Sequence, residues 1–261
     1  MSIGDAEIKT QERVIRFFKD PEILGYQYIG NLSDYQNKNI KEDRLRQYLR
    51  LKGYADKLID AAVMQLQQEA GNLSRGVYDA NKTVYSRLKY GIPVSESPEK
   101  PPVTVELIDE ANPLNNDFAI AEEVTVVEQQ EKRPDLVIYL NGIAVAVIEL
   151  KRSSISVSEG IRQNLTNQKD SFIRGFFTTM QFCMAGNESE GLRYGTLLTG
   201  EKFYMEWKDD GFKEHEEERD PVDVRISKTC EVIDNKLLKQ IYAMFDKERF
   251  IDLIMNFVVF D

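Results

Sequence analysis

The sequence predicts an α/β protein, with helices on a mixed sheet and a largely helical segment in front. Three observations predict it. Apolar residues recur at helical spacing through the first ninety positions. Short strand-like runs follow a proline-rich break at 95–102. One long apolar unit, 136–150, is split by Asn141-Gly142 and followed by a helix with capping spacing.

With 261 residues, 42% of them hydrophobic, the chain suits one large or two modest domains. Its formal charge of −10 excludes an indiscriminate nucleic-acid coat, because such binding rests on basic side chains neutralising phosphates. The charge is uneven. Between Lys132 and Arg174 there are seven basic side chains against four acidic ones, and between Glu188 and Asp220 five against eleven. A local basic approach to an anionic substrate is therefore compatible with the net charge.

Cys183 and Cys230 and the lone His215 lie far apart in sequence, which argues against a zinc site. No apolar stretch reaches about 18 residues, and Met1 to Thr10 lacks the basic and apolar parts of a signal peptide. The expectation is a soluble, cytoplasmic protein with no membrane partner.

Taken in order, the first helix is expected from a cap at Thr10 to Asp20-Pro21, with Val14, Ile15, Phe17 and Phe18 inside. Helices at 41–51 and 55–70 bury Leu45, Leu49, Ile59, Val63 and Leu66, and 78–88 is a short helix or the approach to a hairpin. Strands are expected at 103–108, 118–127, 136–150, 176–184 and 192–207, the last broken by Gly200. Ser156 and Glu159 have capping-box spacing for a helix at about 158–170. Helices at 235–245 and 247–257 close the chain. The aromatics Phe176, Phe177, Phe182, Phe203, Tyr204 and Trp207 are expected in the core, and the acidic run 209–220 as a solvated loop. The chain stops on Val258-Val259-Phe260-Asp261, an apolar end that suggests a fragment of something longer.

The chemistry lies in Arg133-Pro134-Asp135 through Glu149-Leu150-Lys151. Two strands joined at Asn141-Gly142 make a hairpin, and Glu149 and Lys151, two apart on one strand, share a face. Register decides whether Asp135 joins them. A strict two-residue loop would set Asp135 opposite Ile148 and send Glu149 to the other face. A bulge at Gly142, pairing Tyr139 with Ile143, would keep all three together, and this is the arrangement expected. Two neighbouring carboxylates repel unless a divalent cation lies between them, and an oxygen-only donor set suits Mg²⁺, with Mn²⁺ as a substitute. Such a pair beside a lysine suits metal-assisted phosphodiester hydrolysis. The plain alternative is an exposed Glu149–Lys151 surface pair.

Pro134-Asp135 followed by Glu149-Leu150-Lys151 resembles the PD-(D/E)xK nuclease signature. The wider stretch from Arg133 to Lys151 resembles the N-terminal nuclease region of type I restriction endonuclease R (motor and cleavage) subunits. Asn116-Asp117-Phe118, Arg193-Tyr194-Gly195-Thr196 and the stretch from Phe250 to Asp261 extend the resemblance, which covers most of the chain from about residue 75. It implies a restriction-endonuclease-like fold, with metal held by Asp135, Glu149 and the Leu150 carbonyl and with Lys151 catalytic. It implies an acidic residue from the first helix, for which Glu12 is the candidate. Gln163, Arg152 and Arg162 are candidates for DNA contact or support of the site. Many relatives carry Gln-x-x-x-Tyr after the lysine, and here the matching positions are Gln163 and Asn167.

The implied layout is an N-terminal helical segment at 1–94 packing on the core, a nuclease core at 103–230, and C-terminal helices at 231–261 leading toward a motor outside this chain. No Gly-x-x-x-x-Gly-Lys-[Ser/Thr] loop occurs, so ATP would be handled elsewhere in the full-length protein. The implied partners are double-stranded DNA and the modification and specificity subunits of a type I complex. Two competing readings are a catalytically silent docking module of the same fold and a stand-alone nuclease.

Overall fold

A computed structural model describes residues 3–97, 99–208 and 220–260, with side chains from residue 7. The central sheet has six strands: β1 (Gln27–Asn31), β4 (Phe118–Glu122), β7 (Leu136–Leu140), β8 (Ile143–Leu150), β9 (Phe182–Asn187) and β10 (Gly191–Gly195), adjacent in that order. β1 runs parallel to β4 and β8 parallel to β9, while the other pairs are antiparallel. The parallel step needs a crossover. Helix α5 (Val157–Asn167) provides it, capped by Ser156, whose side chain accepts from the Ser158 N–H at 3.3 Å.

Every residue of β7 and β8 is buried, as expected for a central hairpin covered on both faces. One face packs Ile120, Ile138, Ile148 and Leu150 against α1 (Ile3–Lys19), α2 (Glu42–Leu51), α7 (Lys236–Phe245) and α8 (Lys247–Asp252), through Phe18, Leu45, Ile241 and Phe250. The other packs Val137, Tyr139, Val147 and Cys183 against Phe176 and Phe177, with α5 covering Ala185. α3 (Asp56–Gly71) and α4 (Val77–Tyr90) lean on the 3₁₀ helix Arg174–Thr179. Two small hairpins complete the elements: β2 (Ile92–Val94) with β3 (Val103–Val105), and β5 (Val126–Val127) with β6 (Glu131–Lys132).

Several expectations need correction. The first helix starts at Ile3, so Thr10 is an interior, buried residue and not a cap. The N-terminal segment is not purely helical: β1 forms the edge of the main sheet. Residues 78–88 are helical. The first half of the expected 176–184 strand is instead the 3₁₀ helix Arg174–Thr179, whose Phe176, Phe177, Thr178 and Thr179 are all buried. The strand from 192 ends at Gly195. Helix α6 (Pro221–Val232) went unread. Phe203 is 63% exposed, unlike Phe176, Phe177 and Phe182. His215 and most of the acidic run lie outside the described residues, as does Pro98 of the proline-rich loop. No described helix is long and apolar enough to cross a membrane.

Candidate active site

The hairpin reaches the expected arrangement by a different route. Asn141 (φ +52) and Gly142 (φ +81) form a two-residue turn that pairs Leu140 with Ile143. The extra residue lies further along: Tyr139 pairs with Ala144 and Ile138 with Ala146, leaving Val145 bulged. The freed backbone groups are taken up by neighbours. Asn39 O accepts from the Ala144 N–H (2.8 Å), and the Val145 carbonyl accepts from the Gln181 N–H (2.7 Å). Past the bulge Leu136 faces Ile148, which brings Asp135 beside Glu149.

At this end of the sheet three groups converge. The Asp135 Oδ2 accepts from the Leu150 N–H at 2.7 Å. Glu149 is fully buried, and no described donor reaches either of its carboxylate oxygens. Gly160 of α5 closes over it: a Cβ there would come within 2.9 Å of the Ala185 Cβ and 3.4 Å of the Glu149 Cβ. Two carboxyls side by side can share a hydrogen bond only when one carries a proton. Burial, and then the Asp135 charge, accordingly push the Glu149 pKa well above the usual carboxylate range. Burial raises Asp135 to about 6, against the pull of Lys151 and the Leu150 N–H, with Glu123 and Glu7 adding to the rise.

Lys151 is the balancing charge. Its Nζ donates to the Leu150 carbonyl (3.0 Å) and lies 3.3 Å from the Glu7 Oε1. Burial works against its charge, but Asp135, Glu149 and Glu7 outweigh it and hold the pKa above the ordinary lysine value. These neighbours hold Lys151 as an ammonium.

The first-helix acid at the site is Glu7. Glu12 is exposed and takes part in no ion pair or hydrogen bond among the described residues. Five positions along a helix put the two roughly 140° apart, so placing the helix start at Thr10 left out the acid that contacts Lys151. Glu123 was also missed. It follows β4 with φ +50, donates its N–H to the Asp135 carbonyl (2.9 Å), and pairs with the Arg133 Nε at 2.7 Å. Only the cross-strand contact with the Pro-Asp pair reveals it, and the sequence carries no signal of that contact.

Gln163 and Asn167 lie one turn apart on α5. Gln163 is half-buried and Asn167 buried, and neither side chain has a partner among the described residues. Arg152 is half-buried and takes part in no described ion pair, whereas Arg162 is bound to Glu159 and Glu201. Arg174 pairs with Asp170, so much of the locally basic segment is internally neutralised.

No three His, Cys, Asp or Glu groups among the described residues are gathered to hold a metal as they stand. The donor set nevertheless fits a hard divalent cation. Two orphaned Glu149 oxygens, the Asp135 carboxyl and the Leu150 carbonyl are all oxygen donors at this end of the sheet.

Sequence comparison gives consistent matches. A family model described as "Type I restriction enzyme R protein N terminus" matches residues 7–203. A candidate type I restriction enzyme endonuclease subunit (MjaIXP) of Methanocaldococcus jannaschii is 33% identical over 97 residues, 34% of this chain and 9% of that protein. The type I restriction enzyme SsaAORF53P endonuclease subunit of Staphylococcus saprophyticus is 29% identical over 112 residues, 41% of this chain and 12% of that protein. The matched part is thus about a tenth of the length of these relatives.

Proposed function

Because the chain belongs to the type I restriction enzyme R protein N-terminal family, we propose that it is a Mg²⁺-dependent endonuclease module that cleaves double-stranded DNA. The observation that carries this reading is the fully buried Glu149 carboxylate, without a donor and beside Asp135, with the Lys151 ammonium next to both. Two adjacent buried carboxyls do not serve stability, because burial and their mutual repulsion both disfavour the charged forms.

Asp135, Glu149 and the Leu150 carbonyl would hold Mg²⁺, or Mn²⁺ in its place. When bound, the cation polarises the phosphodiester and lowers the pKa of water. Lys151 supplies a fixed positive charge where negative charge develops on the phosphate, and Glu7 positions it from α1. Asp135 is oriented by the Leu150 N–H, and Gly160 lets α5 approach closely enough to seal Glu149 from solvent. Arg152 and Gln163 are the side chains available to contact DNA.

In the whole protein, ATP would be used by a motor beyond residues 231–261, while modification and specificity subunits would supply site recognition. The two buried free cysteines suit a reducing cytoplasm. The nuclease core would be centred on 103–230, with β1 of the 1–94 segment completing its sheet and the first helix reaching its site through Glu7.

The test is Lys151→Ala in the assembled enzyme, with duplex cleavage and thermal unfolding measured together. Cleavage is expected to fall about 100-fold or more with the melting temperature little changed. Retained cleavage in a folded variant would favour the silent docking module. Cutting by the wild-type 261-residue chain without ATP or partners would favour a stand-alone nuclease.

A further inference from the structure

The proposed cation site has two carboxylates, Asp135 and Glu149, yet a third lies on the next strand over. Glu122 ends β4 opposite Leu136 of β7, and the backbone contact continues one residue further. The Glu123 N–H donates to the Asp135 carbonyl at 2.9 Å and the Val124 N–H to the Pro134 carbonyl at 3.1 Å. Glu123, Asp135 and Glu149 therefore form a row across the ends of three adjacent strands.

Strand alternation puts Asp135 and Glu149 on one face, that of Val137 and Val147 on the same strands. Glu123 departs from that alternation because its backbone is left-handed, at φ +50. Glycine or asparagine adopts this conformation more readily than glutamate, so Glu123 sits in a strained backbone position of the kind that clusters at functional sites. The carboxylate is turned aside by two groups: the Gln11 Nε2 of α1 at 3.2 Å and the Arg133 Nε at 2.7 Å. Arg133 is 56% exposed and Glu123 only 24%, so the guanidinium is the solvent-side partner and the easier one to exchange.

An acidic row alone would say little. The independent observation is Glu149, at 0% exposure, with both oxygens lacking a donor at the end of that row. The site has a place for a positive group, and Glu123 lies within electrostatic reach of both Asp135 and Glu149.

We propose that Glu123 is the third carboxylate of this cation site, exchanging Arg133 for the bound cation or for a water of its shell. The inference rests on the metal reading above and extends it to a residue outside the Pro-Asp…Glu-x-Lys pattern.

The test is titration of the 261-residue chain with Mn²⁺ alone, followed by calorimetry and by the free-Mn²⁺ paramagnetic resonance signal. Wild type is compared with Asp135→Ala, Glu123→Gln and Arg133→Ala. We expect wild type to bind, Asp135→Ala to lose binding, and Glu123→Gln to raise Kd about tenfold or more. Arg133→Ala removes the same ion pair but keeps the carboxylate, so it should bind as tightly as wild type or tighter. If Glu123→Gln binds like wild type while Asp135→Ala does not, the metal reading stands and this inference fails. Equal weakening in Glu123→Gln and Arg133→Ala would make Glu123 a structural ion-pair partner and overturn it too. A wild-type chain that binds no Mn²⁺ overturns both. A melting curve for each variant separates lost binding from lost folding.

Discussion

The two ends of the β7–β8 hairpin are equally buried and treat their polar groups in opposite ways. At the turn, Asn141 is 0% exposed. Its Oδ1 accepts from the Asp117 N–H (2.7 Å), and its Nδ2 donates to the Leu107 carbonyl and the Asn116 Oδ1, both at 2.8 Å. The Gly142 carbonyl accepts from the Lys41 N–H at 2.7 Å. At the other end Glu149, also 0% exposed, has no described donor at all. Leaving a buried polar group unmade costs about 1–3 kcal/mol and more when it is charged. A hairpin that bonds the whole Asn141 amide at its turn and leaves both Glu149 oxygens without a donor separates an end that serves the fold from the end proposed to hold a cation.

The sharpest break of that comparison is Gly142→Ala. The residue sits at φ +81, and a Cβ would come within 2.6 Å of the Leu45 nitrogen and 2.7 Å of the Lys41 carbonyl oxygen. Both are backbone atoms at the start of α2, so neither can swing away. Destabilisation of roughly 4 kcal/mol is expected, read from urea unfolding. A loss under about 1 kcal/mol would mean the turn end yields easily, and the contrast would fail.

The next effect runs the other way. Asp135 and Glu149 both have folded pKa values above those of an unfolded chain, near 4. Such groups contribute stability below the unfolded pKa and lose it as pH rises through the folded one. For Asp135 that window runs from about pH 4 to about 6, and for Glu149 it extends higher. Other carboxylates, among them Glu69 and Asp109, are lowered by cationic partners and act oppositely, so the informative quantity is a difference between proteins. Glu149→Gln removes the buried charge and can donate to Asp135. In EDTA at pH 8 it should be more stable than wild type by about 2 kcal/mol, roughly 5 °C in Tm, with the gap closing toward pH 4. Mg²⁺ should narrow the gap at pH 8 by stabilising wild type alone. Parallel stability curves for the two proteins would remove the basis for calling this end destabilised.

How far the sequence foretold this contrast depends on what set each feature. The apolar hairpin, α5 with its Ser156 cap, and the helices carrying Leu45, Ile59 and Phe245 follow from periodicity and were legible. Asn116 and Asn141 were visible as separate motif residues, but only the fold shows them bonded at 2.8 Å. The bulge at Val145 was not legible, because bonds from residues far away in sequence, such as Asn39 and Gln181, decide the register. β1 is a half-buried edge strand of five residues between helices, too short for alternation to stand out. Helix α6 did carry a signal that went unread: Asp220 caps it, accepting from the Val222 N–H at 2.8 Å, with Pro221 in its first turn. At the site, Asp135, Glu149 and Lys151 were legible because they punctuate an apolar unit. Glu7 and Glu123 were not, since one depends on where α1 begins and the other on a cross-strand contact.

The smallest effect separates the two acids of α1. Glu7 is 34% exposed and 3.3 Å from a Lys151 ammonium that is 14% exposed, so Glu7→Gln should cost at most about 1 kcal/mol of stability. Its consequence lies in charge. The Glu7 carboxylate helps hold the Lys151 pKa up, together with Asp135 and Glu149, so neutralising it should lower that pKa, read from the Lys151 Cε chemical shift across a pH titration. Glu12→Gln, on a different face of the same helix, should leave both the shift and the stability unchanged. If the two substitutions moved Lys151 equally, the effect would be the general field of the helix and not a contact. Glu7 would then no longer belong with the unsatisfied end of the hairpin.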